Sequence, residues 1–69
     1  MGQMILKSEP WAYISIDGKE TGLITSARPL RVAAGSHQID LENPALGLKQ
    51  SFTIEVRPDE TVRRFVRLE

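Results

Sequence analysis

The chain has 69 residues, with nine Lys and Arg against nine Asp and Glu, one histidine and no cysteine. This length allows one small domain, which buries only about 60% of the surface that its unfolded form exposes. The composition excludes disulfides, thiolate chemistry and a zinc site built from several histidines. Zero net charge argues against nucleic acid or an anionic membrane as a partner, and no apolar stretch approaches the roughly 20 residues that span a bilayer.

The first sixteen residues predict two strands. Residues 4–8 form a short first strand that ends before Pro10, because proline cannot donate a hydrogen bond to a sheet. Residues 12–16 alternate between an apolar face and a second face shared by Trp11 and Tyr13. Such alternation is typical of a half-buried strand.

The dipeptide Asp17-Gly18 predicts a tight hairpin turn. A two-residue primed turn needs positive φ angles, which glycine adopts without steric cost. A weak return strand over residues 19–21 is expected to stop at Gly22. Residues 22–29 show no clean period and are predicted to be a loop.

The middle of the chain predicts a short strand over residues 30–32 and a turn containing Gly35. A clear strand follows over residues 37–42. Asn43-Pro44 breaks this strand, and residues 45–48 are predicted to be a loop or one helical turn.

The C-terminal part predicts the longest strand, residues 49–57, a turn at Pro58 and a last strand over residues 61–68. No window carries a helical stripe. The sequence therefore predicts an all-β fold, a small sandwich or partly open barrel of about six short, mainly antiparallel strands. One domain covers residues 4–69, and residues 1–3 are interpreted as a cloning remnant.

The predicted core consists of the apolar residues on the inward side of these strands. Truncating Ile54 to alanine in so small a core is expected to cost about 2–5 kcal/mol and to unfold the domain. The core members are Ile14, Ile16, Leu30, Val32, Ile39, Leu41, Phe52, Ile54, Val56, Val66 and Leu68.

The ordered turns resemble the PEGA domain family. That family opens with Pro-x-Gly-Ala-x-Val-x-Ile-Asp-Gly and a second glycine about four residues later. The segment Pro10-Trp11-Ala12-Tyr13-Ile14-Ser15-Ile16-Asp17-Gly18-Lys19, followed by Gly22, is similar to this opening. Residues 30–39 resemble the next part of the family pattern, an apolar pair followed by a Gly-x-His strand. The last two predicted strands also fit the family. The resemblance covers about residues 5–68.

Three features depart from the family pattern. Trp11 stands where the family has two residues that include glycine, and residues 23–29 replace the family's Thr-Pro. Gly47-Leu48 stands where the family has Gly-Tyr. The Pro-Trp-Ala opening and Asn43-Pro44 resemble variants appended to bacterial, especially myxobacterial, serine/threonine kinases. The resemblance implies a compact β-fold used as an accessory module in cell-surface and signalling proteins, with no attributed enzymatic activity.

His37 is the one side chain that titrates near neutral pH when unperturbed. Its strand places it on the face of Ile39 and Leu41, which favours a partly buried histidine near a turn. Catalysis would need a partner on the same face, and Ser36 points to the other one.

The carboxylates are expected to form a solvated acidic face. Calcium requires six or more oxygens, usually from a dedicated loop, and no such loop is apparent. No phosphate-binding glycine motif or paired catalytic carboxylates are apparent either. We therefore expect no metal, no cofactor and no enzyme. The carboxylates weighed for a cation site are Asp17, Glu20, Asp40 and Glu42.

The candidate interaction surface combines aromatic and basic residues. Trp11 and Tyr13 either cover the far side of the sheet or form an exposed platform for a protein or a sugar ring. Arg28 lies in the altered loop, and Arg57, Arg63 and Arg67 lie towards the C-terminus.

The C-terminal arginines permit two interpretations. They form a patch for phosphate, an acidic partner or a polyanionic wall polymer, or they protect an edge strand against edge-to-edge pairing. Arg63 and Arg67 should share a face with Phe65 between them. Arg64 falls with Val62 and Val66 unless a bulge intervenes.

The leading functional hypothesis is a non-catalytic protein-interaction module of a bacterial multidomain signalling or cell-surface protein. The first alternative is a structural spacer or self-assembling unit of a surface array or filament. The second is a cell-wall or carbohydrate-binding module that uses Trp11, Tyr13 and flanking arginines. The expected partner is thus a protein, a second copy or a wall polymer, without nucleic acid and without membrane insertion by this segment. Fusion to a larger chain is expected, and that chain would decide between cytoplasm, periplasm and cell surface.

Overall fold

The computed structural model describes residues 1–26 and 28–68, and its regular structure consists of seven strands. Three of them form one sheet in the order β4-β1-β7, and four form a second sheet in the order β3-β2-β5-β6. The prediction of an all-β fold is confirmed, with two open sheets instead of a closed barrel. The strands are β1 (Gly2–Glu9), β2 (Tyr13–Ile16), β3 (Lys19–Ile24), β4 (Leu30–Val32), β5 (Gly35–Asn43), β6 (Leu48–Val56) and β7 (Thr61–Arg67).

The two ends of the chain pair with each other. β1 and β7 run parallel, in a register that extends from Gln3 opposite Thr61 to Glu9 opposite Arg67. The remaining strand pairs, β1 with β4 and the three pairs of the larger sheet, are antiparallel. The parallel pair joins strands that are more than fifty residues apart in sequence, so no local pattern could indicate it.

The predicted hairpin turn at Asp17-Gly18 is confirmed. Asp17 has a φ of 53° and Gly18 a φ of 82°, as a primed two-residue turn requires. Ile16 and Lys19 pair directly across the turn.

The prediction that the return strand stops at Gly22 is wrong, because β3 continues to Ile24. Gly22 has a φ of 74°, and the β2–β3 register shifts between Tyr13 and Ser15 at this point. The glycine therefore accommodates a β-bulge, the other common role of a left-handed glycine inside a hairpin. Thr21 stabilises the bulge, because its hydroxyl donates a hydrogen bond to the Ile14 carbonyl at 2.8 Å.

β1 begins two residues before its predicted start. Gly2 and Gln3, placed outside the domain by sequence, pair with Val32 and Arg31 of β4. Gly2 is buried, and an added Cβ would overlap Val56. The remaining strand ends lie within two residues of their predicted positions.

The core lies between the two sheets, with β1, β4 and β7 on one side and β2, β5 and β6 on the other. Eight of the predicted core residues are buried, while Ile16, Leu30 and Phe52 are half-buried against the cluster. Met4, Leu6 and Ala12 are also buried and were not in the predicted set.

The segment that replaces the family's Thr-Pro is tied to β1 and to the β1–β2 connection. The Thr25 hydroxyl lies 2.8 Å from the Ser8 hydroxyl and accepts from the Ala12 amide at 3.2 Å. The Ser26 amide donates to the Leu6 carbonyl at 2.9 Å. These bonds hold the end of β3 across the gap between the sheets. Ala27, also in this segment, lies outside the described residues.

Candidate functional site

Trp11 and Tyr13 form an exposed aromatic pair where β2 begins. Their ring centroids are 5.3 Å apart and their planes are nearly perpendicular, an edge-to-face arrangement. Trp11 is 41% exposed and Tyr13 is 49% exposed. The two rings therefore support each other and still present about half of their surface to solvent.

A shallow groove of about 530 Å³ extends from Tyr13 across the outer face of the four-stranded sheet. Glu42 lies directly opposite Tyr13 in the β2–β5 register, and Asp40 and Glu20 line the same groove. Lys49 is the basic residue that lines it. The groove is thus aromatic at one side and acidic along its length. Three of the four carboxylates expected on an acidic face meet here.

Arg63 and Arg67 lie on the other sheet. They alternate with Val62 and Val66 along β7, so they project from the outer face of the three-stranded sheet, and Phe65 projects between them. Phe65 is 61% exposed. β7 pairs only with β1, which confirms that it is an edge strand. β7 and β2 belong to different sheets, and neither Arg63 nor Arg67 lines the groove beside Tyr13.

Arg64 follows the predicted inward alternation but is exposed. The β1–β7 register runs without a bulge, with Arg64 opposite Leu6. Because β7 is at the edge, this position lies over the open seam towards β6, where Arg64 lines a cleft with Gln50 and Phe52.

The other two predicted arginines lie in connections between strands. Arg28 is exposed and lines a cavity of about 130 Å³, together with Leu6, Leu23 and Leu30. Arg57 is exposed directly after β6, and its amide donates to the Glu60 carboxylate at 3.1 Å. The six candidate residues are therefore distributed over both sheets and the connections between strands.

His37 is held in a polar network that the sequence did not reveal. Its Nδ1 lies 2.7 Å from Asp17 Oδ2 and its Nε2 lies 2.6 Å from the Ala33 carbonyl oxygen. The Gln38 amide donates to Asp17 Oδ1 at 2.9 Å. The side chain of His37 is only 12% exposed, which agrees with the predicted partly buried histidine near a turn.

Both ring nitrogens of His37 face oxygens that can only accept. A neutral imidazole has one N–H donor, so only the imidazolium satisfies both contacts. The hydrogen bond to Asp17 and, second, the bond to Ala33 raise the pKa of His37 above its ordinary value of 6.5. The same bond and the Gln38 amide lower the pKa of Asp17 below 3.8. The pair fastens the β2–β3 turn to β5.

Asn43 is a buried polar residue whose side chain has a structural role. The sequence predicted only that Asn43-Pro44 ends a strand. Asn43 is fully buried at the end of β5. Its Nδ2 donates to the Trp11 carbonyl at 2.9 Å, and its Oδ1 accepts from the Leu46 amide at 3.0 Å. One side chain therefore links the backbone at the aromatic pair to the β5–β6 turn.

The other predicted turn residues occupy strand ends. Pro10 follows β1, Gly35 starts β5, Pro44 begins the β5–β6 turn and Pro58 begins the β6–β7 turn. The Asp59 amide in that last turn donates to the Met1 carbonyl at 3.0 Å, and the Gln3 amide donates to the Glu60 carbonyl at 2.8 Å. These turns connect the strands and hold their ends in place.

Within residues 1–26 and 28–68, no group of three or more His, Asp or Glu side chains is placed to hold a metal ion. The same residues include no helix long and apolar enough to cross a membrane.

The two sheets define a small β-sandwich domain, and one of its outer faces carries an exposed aromatic pair beside a groove. The family model of the PEGA domain matches residues 1–69, and the chain belongs to this family of small accessory domains. No curated protein and no solved structure matches the chain.

Proposed function

We propose that this domain is a non-catalytic protein-interaction module of a larger bacterial signalling or cell-surface protein. The observation that carries the proposal is the exposed Trp11–Tyr13 pair beside the groove on the four-stranded sheet. Membership in a family of accessory domains supports a binding role over a catalytic one.

The geometry of the pair suits a protein surface. Tryptophan and tyrosine are enriched among residues that dominate binding energy, since they bury a large area at a small cost in side-chain entropy. Edge-to-face packing restricts both rings before a partner arrives. Backbone anchoring restricts them further, because the carbonyl of Trp11 accepts from the buried Asn43 side chain.

Face contact is a better mode for this domain than strand addition. The exposed edges include β3, which is interrupted by the bulge at Gly22, and β7, which carries three arginines. Bulges and charges are the devices that block edge-to-edge pairing. The aromatic pair and the groove remain as the surface on which a protein partner would bury apolar area.

Trp11 is the only tryptophan in the chain, so its fluorescence reports on this surface. The experiment uses the 69-residue chain as bait in crosslinking, followed by titration of each captured protein against Trp11 emission. A specific partner should shift the emission, and Trp11→Ala should weaken capture at least about tenfold. Leu46→Ala is the matched control, because Leu46 is an exposed apolar residue outside the groove.

If the parent and Trp11→Ala capture the same protein equally well, that protein does not bind through the Trp11–Tyr13 pair, and this part of the proposal is refuted. A shift produced by purified wall polymer, with no protein captured, would support the carbohydrate alternative instead.

A further inference from the structure

The zero net charge of this chain conceals an uneven distribution between its two outer faces. We propose that copies of the domain stack front to back, with the three-stranded face of one copy on the four-stranded face of the next. This rests on the proposed function and names its partner as a second copy of this chain.

The outer face of the three-stranded sheet is basic. Ile5 and Arg63 are direct neighbours across β1 and β7, as are Lys7 and Phe65, and these four residues line one shallow depression of about 610 Å³. Outward positions alternate with core positions along each strand. The charged residues at these positions are the basic Lys7, Arg31, Arg63 and Arg67 and the acidic Glu9.

The outer face of the four-stranded sheet is acidic. Its groove is lined by Glu20, Asp40 and Glu42, and Tyr13 lies at its side. By the same alternation, the charged residues at outward positions are the acidic Glu20, Asp40, Glu42 and Glu55 and the basic Lys49. The two faces therefore carry excess charge of opposite sign.

Each face also has an exposed aromatic group among its charges. Phe65 lies among the cations, and the Trp11–Tyr13 pair lies beside the carboxylates. Interfaces of this kind combine an aromatic anchor with a polar rim, and complementary rim charges favour the correct orientation. A second copy offers an acidic face to the basic face of the first copy and a basic face to its acidic face. A partner that is only acidic or only basic would bind just one of the two faces.

The net charge permits this association. Copies with zero net charge do not repel one another at long range. The contact joins two different faces, so it is heterologous and generates an open chain of domains instead of a closed dimer.

The size of the faces limits the affinity. The molecule measures 35 × 21 × 18 Å, so its largest face offers on the order of 700 Å². Stable interfaces bury about 800 Å² per partner. We therefore expect weak, reversible stacking that is sensitive to salt, because the charged groups are exposed.

The test is sedimentation velocity of the 69-residue chain over a wide concentration range, at low salt and at high salt. The average sedimentation coefficient should rise with concentration at low salt and return to the monomer value at high salt. Two double variants each remove two charges from one face: Arg63→Gln with Arg67→Gln, and Glu20→Gln with Glu42→Gln. Each should weaken self-association by about tenfold or more.

Mixing the two variants gives the sharpest outcome. Each retains one intact face, so the mixture should associate with wild-type affinity and stop at a one-to-one dimer. The control matched to the Arg63→Gln and Arg67→Gln variant is Arg28→Gln with Arg57→Gln. It also removes two positive charges, from residues that line neither the basic depression nor the acidic groove, and it should associate like the parent. Circular dichroism serves as the folding control, and all three variants should keep the parent's β-sheet spectrum.

A parent chain that stays monomeric at the highest concentration and low salt would overturn the stacking proposal. So would association that persists at high salt and is unaffected by both face variants. Neither result touches the proposed function, which depends on capture of a protein through Trp11. Loss of that capture together with intact stacking would remove Trp11-dependent capture from the proposed function and leave a second copy as the domain's protein partner.

Discussion

Replacing Asn43 with alanine is the substitution for which the structure gives the clearest expectation. The side chain is fully buried and makes two hydrogen bonds, to the Trp11 carbonyl and from the Leu46 amide. Asn43→Ala removes both bonds and leaves the Trp11 carbonyl without this donor, whereas the Leu46 amide keeps a longer bond of 3.3 Å to the backbone carbonyl of residue 43. An unsatisfied buried group costs about 1–3 kcal/mol.

The expected loss is therefore about 1–3 kcal/mol, which comes mainly from the unsatisfied Trp11 carbonyl. A core of this size supplies a net stability of only about 3–5 kcal/mol. Asn43→Ala should therefore leave the domain marginally folded at 25 °C. Asn43→Asp keeps the volume and the Oδ1 acceptor, but its second oxygen faces the Trp11 carbonyl without a proton at neutral pH. We expect this variant to be at least as unstable as Asn43→Ala at pH 7.

Urea denaturation followed by Trp11 fluorescence and circular dichroism measures these losses directly. Gln38→Ala, an exposed amide on the same strand, is the matched control and should stay within about 0.5 kcal/mol of the parent. A loss below about 1 kcal/mol for Asn43→Ala would mean that water replaces the side chain fully. The role of Asn43 as a link between the two segments would then be refuted.

Three further predictions concern the core, the polar network and the N-terminal strand. Ile54→Ala should lose about 2–5 kcal/mol and unfold the domain, whereas Thr53→Ala on the exposed side should melt within a few degrees of the parent. Because the pKa of His37 is raised in the folded state, its stabilising effect is complete below about pH 6.5 and is lost as the pH rises through the folded-state pKa. The urea midpoint should therefore be higher near pH 6 than near pH 8, and a parent profile as flat as that of His37→Ala would contradict this. Gly2→Ala should cost about 1–3 kcal/mol, because the new Cβ overlaps Val56 and lies 3.0 Å from two carbonyl oxygens of the β6–β7 turn. An unchanged melting temperature would show that β1 is not held in place there.

Local sequence patterns predicted most of the strands and most of the core residues. Alternation placed Ile39, Leu41 and Ile54 inside, and Asp17-Gly18 fixed the first hairpin. Gly22 was misassigned because a left-handed glycine serves equally as a strand terminator or as a bulge, and only the cross-strand register distinguishes the two.

Features that depend on distant pairing left no local signal. Asp17 meets His37 because β2 and β5 are neighbours with Ile16 opposite Ile39. Asn43 meets Trp11 across 32 positions of sequence. Both Asp17 and Asn43 are turn residues whose side chains also form hydrogen bonds with a distant segment. The sequence predicted the turns but not these hydrogen bonds. The placement of the β7 arginines and Tyr13 on different sheets has the same origin, since it depends on which sheet each strand joins.

The turn residues that carry the family resemblance have structural roles in the fold. The carboxylate of Asp17 is used by His37 and Gln38, and the bulge uses Gly22. Little of this framework is left to contact a partner. Under the proposed function, recognition depends on outward positions, where substitutions cost little stability because no core contact is lost. Changes in the charges of the two outer faces would then alter the partner while the turns and the core stay the same. For this chain those faces carry excess charge of opposite sign, and sedimentation velocity tests directly whether one copy binds another.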